Sequence, residues 1–251
     1  MRAPHRFVPL VVATALVALA SCNQSDEIRR QALEDSTAVT FPSTDGVELA
    51  GRLFGPDTAT AGVVLAHMLP ADQRSWFDFA DRLGGSGYRA LTFDFRGYCP
   101  GGAAGCSDGE KDVGAIWQDV QGAVEFLRSQ GVRDVGLVGA SMGGTASLVV
   151  ASELGDEIAV VITLSAPDAI DGLAATPETL QRITAAKLHL AGVSDGSAAQ
   201  VAQGFYDQGL PPKRVEILTT GDHGTDLLTG NQAEIARNLI LGWLAQHLPA
   251  S

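Results

Sequence analysis

The sequence predicts an α/β domain built on a mostly parallel, eight-stranded sheet with helices on both faces. Three observations predict it. Short apolar runs of buried-strand type alternate with helix-like stretches from about residue 60 onward. The turn signal STDG separates two extended segments and places an antiparallel hairpin at the head of the series. Repeated βα units after such a hairpin give parallel strands covered on both faces. Composition agrees: 251 residues, 45% hydrophobic and 18% charged, suffice for one large core and exclude a disordered or fibrous chain.

The elements follow in order. Residues 38–43 and 47–54 are the hairpin strands, and AGVVLAHM (61–68) is the third strand. RSWFDFADRLGGSGY is helical up to its glycines, and RALTFDF (89–95) is the fourth strand. A helix near 112–130, with AIWQDVQGAVEFLRSQ at its heart, precedes the strand DVGLVGA (134–140). A further helix is expected from about Gly143 to Leu154. The strands IAVVITLS, AAKLHLAG and RVEILTTG complete the sheet, with helices near 175–184, 198–208 and 231–248. About 20 residues separate Ser165 from Ala185, too few for a large lid domain. Trp76 and Phe77 either line an open cleft or, as is commoner for aromatics on a helix, join the core.

The N-terminus is different in character. Arg2 and Arg6 precede an apolar run from Phe7 to Leu19 that is too short to span a bilayer as a helix, which is the pattern of a secretory signal over residues 1–21. Leu19-Ala20-Ser21-Cys22 resembles a bacterial lipobox, and the resemblance implies cleavage before Cys22 and a diacylglyceryl group on its sulfur. The expected mature protein is then an extracytoplasmic, membrane-anchored lipoprotein, with residues 22–37 a polar tether and 38–251 the folded domain. Losing Arg2 and Arg6, and no acid, takes the net charge from −12 to −14. So acidic a chain, without a basic patch, excludes nucleic acid as a partner. With Cys22 lipidated, Cys99 and Cys106 remain, in the Gly-rich loop YCPGGAAGCSDG. They either pair, contributing about 2–3 kcal/mol on the chain-entropy model, or stay free thiols. Neither belongs to a CxxC, so no metal site is expected.

One stretch carries chemistry. In GLVGASMGGTAS a strand runs into a helix through Gly139-Ala140-Ser141-Met142-Gly143. A sharp strand-to-helix turn brings the residues two before and two after Ser141 together, so only small residues fit at 139 and 143. The helix N-terminus then presents N–H groups beside the hydroxyl. A serine needs a base, and the base needs an orienting acid. His5 leaves with the signal, His189 lies inside a strand, His247 lies in the last helix, and His67 ends the third strand. His223 stands in the turn TTGDHGTD after the last strand, and Asp195 stands in the turn AGVSDG after the penultimate one. Asp168 and Asp222 are the competing carboxylates.

These residues resemble the α/β-hydrolase family, close to small serine esterases and dienelactone-hydrolase-like proteins. The likeness lies in the GxSxG elbow and in the order Ser141, Asp195, His223, each just after a strand. It implies carboxylic ester hydrolysis through an acyl-enzyme, with a small-molecule ester or acyl substrate. It also implies an oxyanion hole from the backbone N–H groups of Met142 and Leu69, where His67-Met68-Leu69 stands for the family's His-Gly-X. Asp94 and Arg96, in FDFRGYCPGG, match the family's D-x-R-G turn and are expected to be structural. The same triad would serve an extracytoplasmic acyltransferase or peptidase, and a non-catalytic lipoprotein binding module is the remaining alternative. With no dinucleotide fingerprint, P-loop or HExxH in the sequence, no cofactor is implied. Nothing in the sequence fixes an oligomeric state.

Overall fold

A computed structural model describes residues 33–250. The signal segment, Cys22 and most of the tether lie outside the described residues.

Eight strands form one sheet. In chain order they are β1 (Thr37–Pro42), β2 (Glu48–Phe54), β3 (Ala61–Ala66), β4 (Arg89–Phe93), β5 (Asp134–Ala140), β6 (Ile158–Leu164), β9 (Ala186–Gly192) and β10 (Lys213–Leu218). The spatial order is β1-β2-β4-β3-β5-β6-β9-β10. The β1/β2 and β2/β4 pairs are antiparallel and the other five are parallel. A two-stranded hairpin, β7 (Ala169–Ile170) and β8 (Leu173–Ala174), was not anticipated. Its turn is Asp171-Gly172, both at positive φ, the backbone a tight primed turn requires.

Among the described residues six α-helices pack around the sheet: α1 (Phe77–Gly85), α2 (Ile116–Ser129), α3 (Met142–Leu154), α4 (Pro177–Arg182), α5 (Ala198–Gln208) and α6 (Ala233–His247). The two-residue period of the strands divides the core. Val64 and Ala66 of β3 join Val120, Val124 and Leu127 of α2 and Met142, Ala146 and Val150 of α3 on one face. Val63 and Leu65 join Phe77 and Leu83 of α1 and Ile240 and Leu244 of α6 on the other. Central strands covered on both sides are therefore apolar throughout, as β3 is, whereas edge strand β1 alternates. Each fully buried Val or Leu side chain contributes roughly 1.5–3 kcal/mol.

The segment between β6 and β9 holds only the β7/β8 hairpin and α4, so no large lid is inserted there. Trp76 is fully buried in the core. Phe77 is buried too, and edges a surface hollow of about 420 Å³ with Leu33, Asp72 and Arg74. The last residues before β1 lie on the domain: the carbonyl oxygens of Leu33 and Ser36 both accept from the Arg52 guanidinium.

Candidate active site

Strand β5 ends at Ala140, and Ser141 turns the chain with φ 48° and ψ −121°, a backbone that L-residues avoid. The turn is held by the Ser141 N–H, which donates to the Leu164 carbonyl at 2.9 Å, and by the Ser141 carbonyl, which accepts from Gly144 at 2.9 Å. The predicted crowding is present. A Cβ on Gly139 would meet the Gly143 oxygen at 2.2 Å, and one on Gly143 would meet the Ala66 and His67 oxygens at 2.5 and 2.6 Å. Gly144, whose Cβ would lie 2.7 Å from that of Ala166, is a third glycine fixed by packing. The side chain of Ser141 sits at the first turn of α3, where backbone N–H groups lack helical partners.

The acid and histidine turns follow β9 and β10. They are laced together by Val193 and Ser194, whose N–H groups donate to the Leu218 and Thr220 carbonyls. His223 Nδ1 lies 2.9 and 3.0 Å from the two carboxylate oxygens of Asp195. With Nδ1–H donating, Nε2 carries the lone pair that can receive a proton. The other carboxylates are engaged elsewhere. Asp222 accepts from the Thr220 hydroxyl at 2.7 Å, and Asp168 accepts from the Ala169 N–H at 3.0 Å. The His223 turn packs against the residue before the serine: a Cβ on Gly224 would come within 3.4 Å of the Ala140 Cβ.

Leu69 is an exposed residue of the loop after β3; Ala66, the last residue of that strand, and His67, the next, abut α3 at Gly143. Met68 takes up the space at Gly224, its Sδ 2.5 Å from where a Cβ would lie. His67 is fully buried and neutral, and burial pushes its pKa down to about 4. Its Nε2 accepts the Phe95 N–H at 3.1 Å, so the proton is on Nδ1 and is donated to the Met68 carbonyl at 2.9 Å. His189 is a core residue, as its place in a strand predicts, bonded to Thr163 at 2.9 Å.

Asp94 and Arg96 are both buried. Arg96 is paired with Asp119 and Asp45, each at 2.7 Å. Asp94 accepts from the backbone and side-chain nitrogens of Gln73, both at 2.9 Å. Gln73 escaped the sequence reading, since a glutamine in a polar loop carries no signal of burial. Cys99 and Cys106 form a disulfide. Among the described residues, no group of three or more His, Cys, Asp and Glu converges as metal ligands.

A sequence family described as alpha/beta hydrolase fold matches residues 63–225. The chain is similar in structure to an esterase from Pyrococcus furiosus, with TM-score 0.72 and 18% identity over 87% of this chain and 93% of that one. It is similar to a dienelactone hydrolase from Anabaena variabilis, with TM-score 0.68 and 22% identity over 85% and 99%. A thermophilic esterase from Thermogutta terrifontis gives TM-score 0.64 and 19% identity over 84% and 99%. No curated protein sequence matches the chain.

Proposed function

Because this chain belongs to the α/β-hydrolase family, we propose that it is a serine hydrolase that cleaves carboxylic esters of small molecules through an acyl-enzyme. The observation that carries the reading is the His223–Asp195 pair, in a molecule whose Ser141 is held at positive φ at the end of another strand of the same sheet. A scaffold that only binds has no use for that combination of strain and charge.

In the proposed reaction Ser141 Oγ attacks the ester carbonyl while His223 Nε2 takes its proton. Asp195 accepts the Nδ1–H and stabilises the imidazolium. The Met142 and Leu69 N–H groups receive the negative oxygen of the tetrahedral intermediate. The imidazolium returns its proton to the departing alcohol. Water, activated by the same histidine, then releases the acid and restores Ser141. No step calls for a cofactor.

The names of the similar structures, two esterases and a dienelactone hydrolase, support ester substrates. The N-terminal pattern supports an extracytoplasmic protein anchored to a membrane surface through lipid on Cys22.

The test is hydrolysis of p-nitrophenyl esters, acetyl to long acyl, by the full chain in detergent beside its Ser141→Ala variant. Turnover that vanishes in the variant supports the reading. Turnover that persists in the variant, or is absent from both, contradicts it.

A further inference from the structure

The Cys99–Cys106 disulfide takes no part in the chemistry proposed above, yet the loop it closes touches both ends of the segment that carries the Leu69 N–H.

At the front end stands His67. Its ring packs against Phe95 and against Tyr98, the residue before Cys99, with centroids 4.6 and 4.7 Å apart. Its Nδ1–H holds the Met68 carbonyl oxygen. The Met68 carbonyl and the Leu69 N–H belong to one planar trans peptide, so fixing the oxygen fixes the direction in which that N–H points.

At the far end stands Gln73, fully buried. Its Nε2 lies 2.6 Å from the carbonyl oxygen of Ala104, inside the disulfide loop, and 2.9 Å from Asp94. Its Oε1 accepts from Thr92 at 2.8 Å. Ser107, next to Cys106, donates to the Asp94 carbonyl at 2.6 Å and accepts from the Ala50 N–H at 2.9 Å. Segment 67–73 is therefore pinned at both ends, one pin leaning on Tyr98, which adjoins Cys99, and the other on Ala104 inside the disulfide loop. That loop contains Gly101, Gly102 and Gly105, all at positive φ; the Gly101 N–H donates to the Gly105 carbonyl and the Ser107 N–H to the Tyr98 carbonyl, and the covalent closure adds to these bonds in a chain of high backbone freedom.

We infer that the Cys99–Cys106 disulfide positions the oxyanion donor: closed, it holds Tyr98 against His67 and Ala104 against Gln73, and thereby orients the Met68–Leu69 peptide. His67 and Gln73 are positioning residues in this arrangement. The inference rests on the hydrolase reading given above. Reduction by dithiothreitol passes two electrons and two protons to the sulfur pair, giving two cysteine thiols and the cyclic disulfide of the reagent. The 67–73 segment then loosens while Ser141, His223 and Asp195, in the turns after other strands, stay in place.

The experiment uses the full chain, oxidised and reduced, with a Cys99→Ser/Cys106→Ser variant as the reagent-free counterpart, and thiol content read by mass. Misplacing one donor by a fraction of an ångström predicts kcat lower by about 10- to 100-fold, with KM within about twofold and the pH midpoint of kcat/KM unmoved. Amide hydrogen exchange across 66–76 speeds up, while β5 and β6 keep their protection. Two free thiols with unchanged kcat, or unchanged exchange across 66–76, overturn the inference. No turnover in either state, with the exchange difference present, overturns the hydrolase reading alone and leaves the ordering of the loop by the disulfide standing.

Discussion

The backbone of Gly143 occupies the space that a side chain on Gly139 would need, with only 2.2 Å between the Gly143 oxygen and the position of a Cβ. The two glycines let β5 fold back into α3 with Ser141 at the apex. Gly139→Ala and Gly143→Ala each force backbone to move, and each is expected to lower stability by about 1–3 kcal/mol and to reduce ester turnover steeply. Gly85, at the end of α1, has nothing within 4 Å of its Cβ position. Gly85→Ala should therefore be neutral or stabilising by about 0.5–1 kcal/mol, with turnover unchanged. Urea unfolding and steady-state kinetics of the three variants check the contrast.

Asp195→Asn keeps the size of the side chain but offers His223 Nδ1 an N–H where it had a carboxylate. The imidazole then loses both its preferred tautomer and the charge that stabilises its protonated form. The expected result is a fall in kcat of roughly 10³- to 10⁴-fold with little change in unfolding. Asp168→Asn, altering a carboxylate bonded only to its neighbour's N–H, should leave kcat within about twofold. Equal losses in the two variants would reassign the acid.

Burial pushes the Asp94 carboxyl up to about 7 from an ordinary 3.8. For an acid whose folded pKa is raised, the favourable contribution is full below the unfolded pKa and is lost as pH climbs through the folded one. Asp94→Asn cannot ionise. Relative to the variant, the wild-type protein should lose roughly 2–4 kcal/mol between pH 4 and 7, and the difference should be flat above that. Urea midpoints of both proteins at four pH values give the curve, and a flat difference throughout would contradict the assignment.

Arg96 lies between two acids of different exposure, Asp119 fully buried and Asp45 a third exposed. Asp119→Ala leaves the buried Arg96 Nε and backbone N–H without their acceptor while the guanidinium keeps only Asp45, and is expected to cost about 2–4 kcal/mol. Asp45→Ala should cost about 1 kcal/mol or less, because water replaces the lost carboxylate. Thermal unfolding of both variants ranks them.

Much of this molecule was legible in its sequence because the signals are local. Strands buried on both faces read as unbroken apolar runs, and the crowding at Ser141 reads as GxSxG. The positions of Asp195 and His223 followed from strand ends, where a parallel sheet gathers its loops. What escaped was set by long-range contact. Gln73 looks like any loop glutamine until Asp94 and Ala104, 21 and 31 residues away, close around it. His67 reads from sequence only as the residue that ends the third strand, and its tautomer depends on the N–H of Phe95, 28 residues away and just past the end of β4. The β7/β8 hairpin did announce itself, in the dipeptide Asp171-Gly172, but its strands of two residues are too short for any periodicity to register.

The most direct measurement is the mass of the intact chain after reaction with a fluorophosphonate, followed by peptide mapping. The proposed chemistry predicts a single adduct on Ser141 that forms in the wild-type protein and fails to form in His223→Ala. An unmodified chain, or an adduct on a different serine, would contradict it.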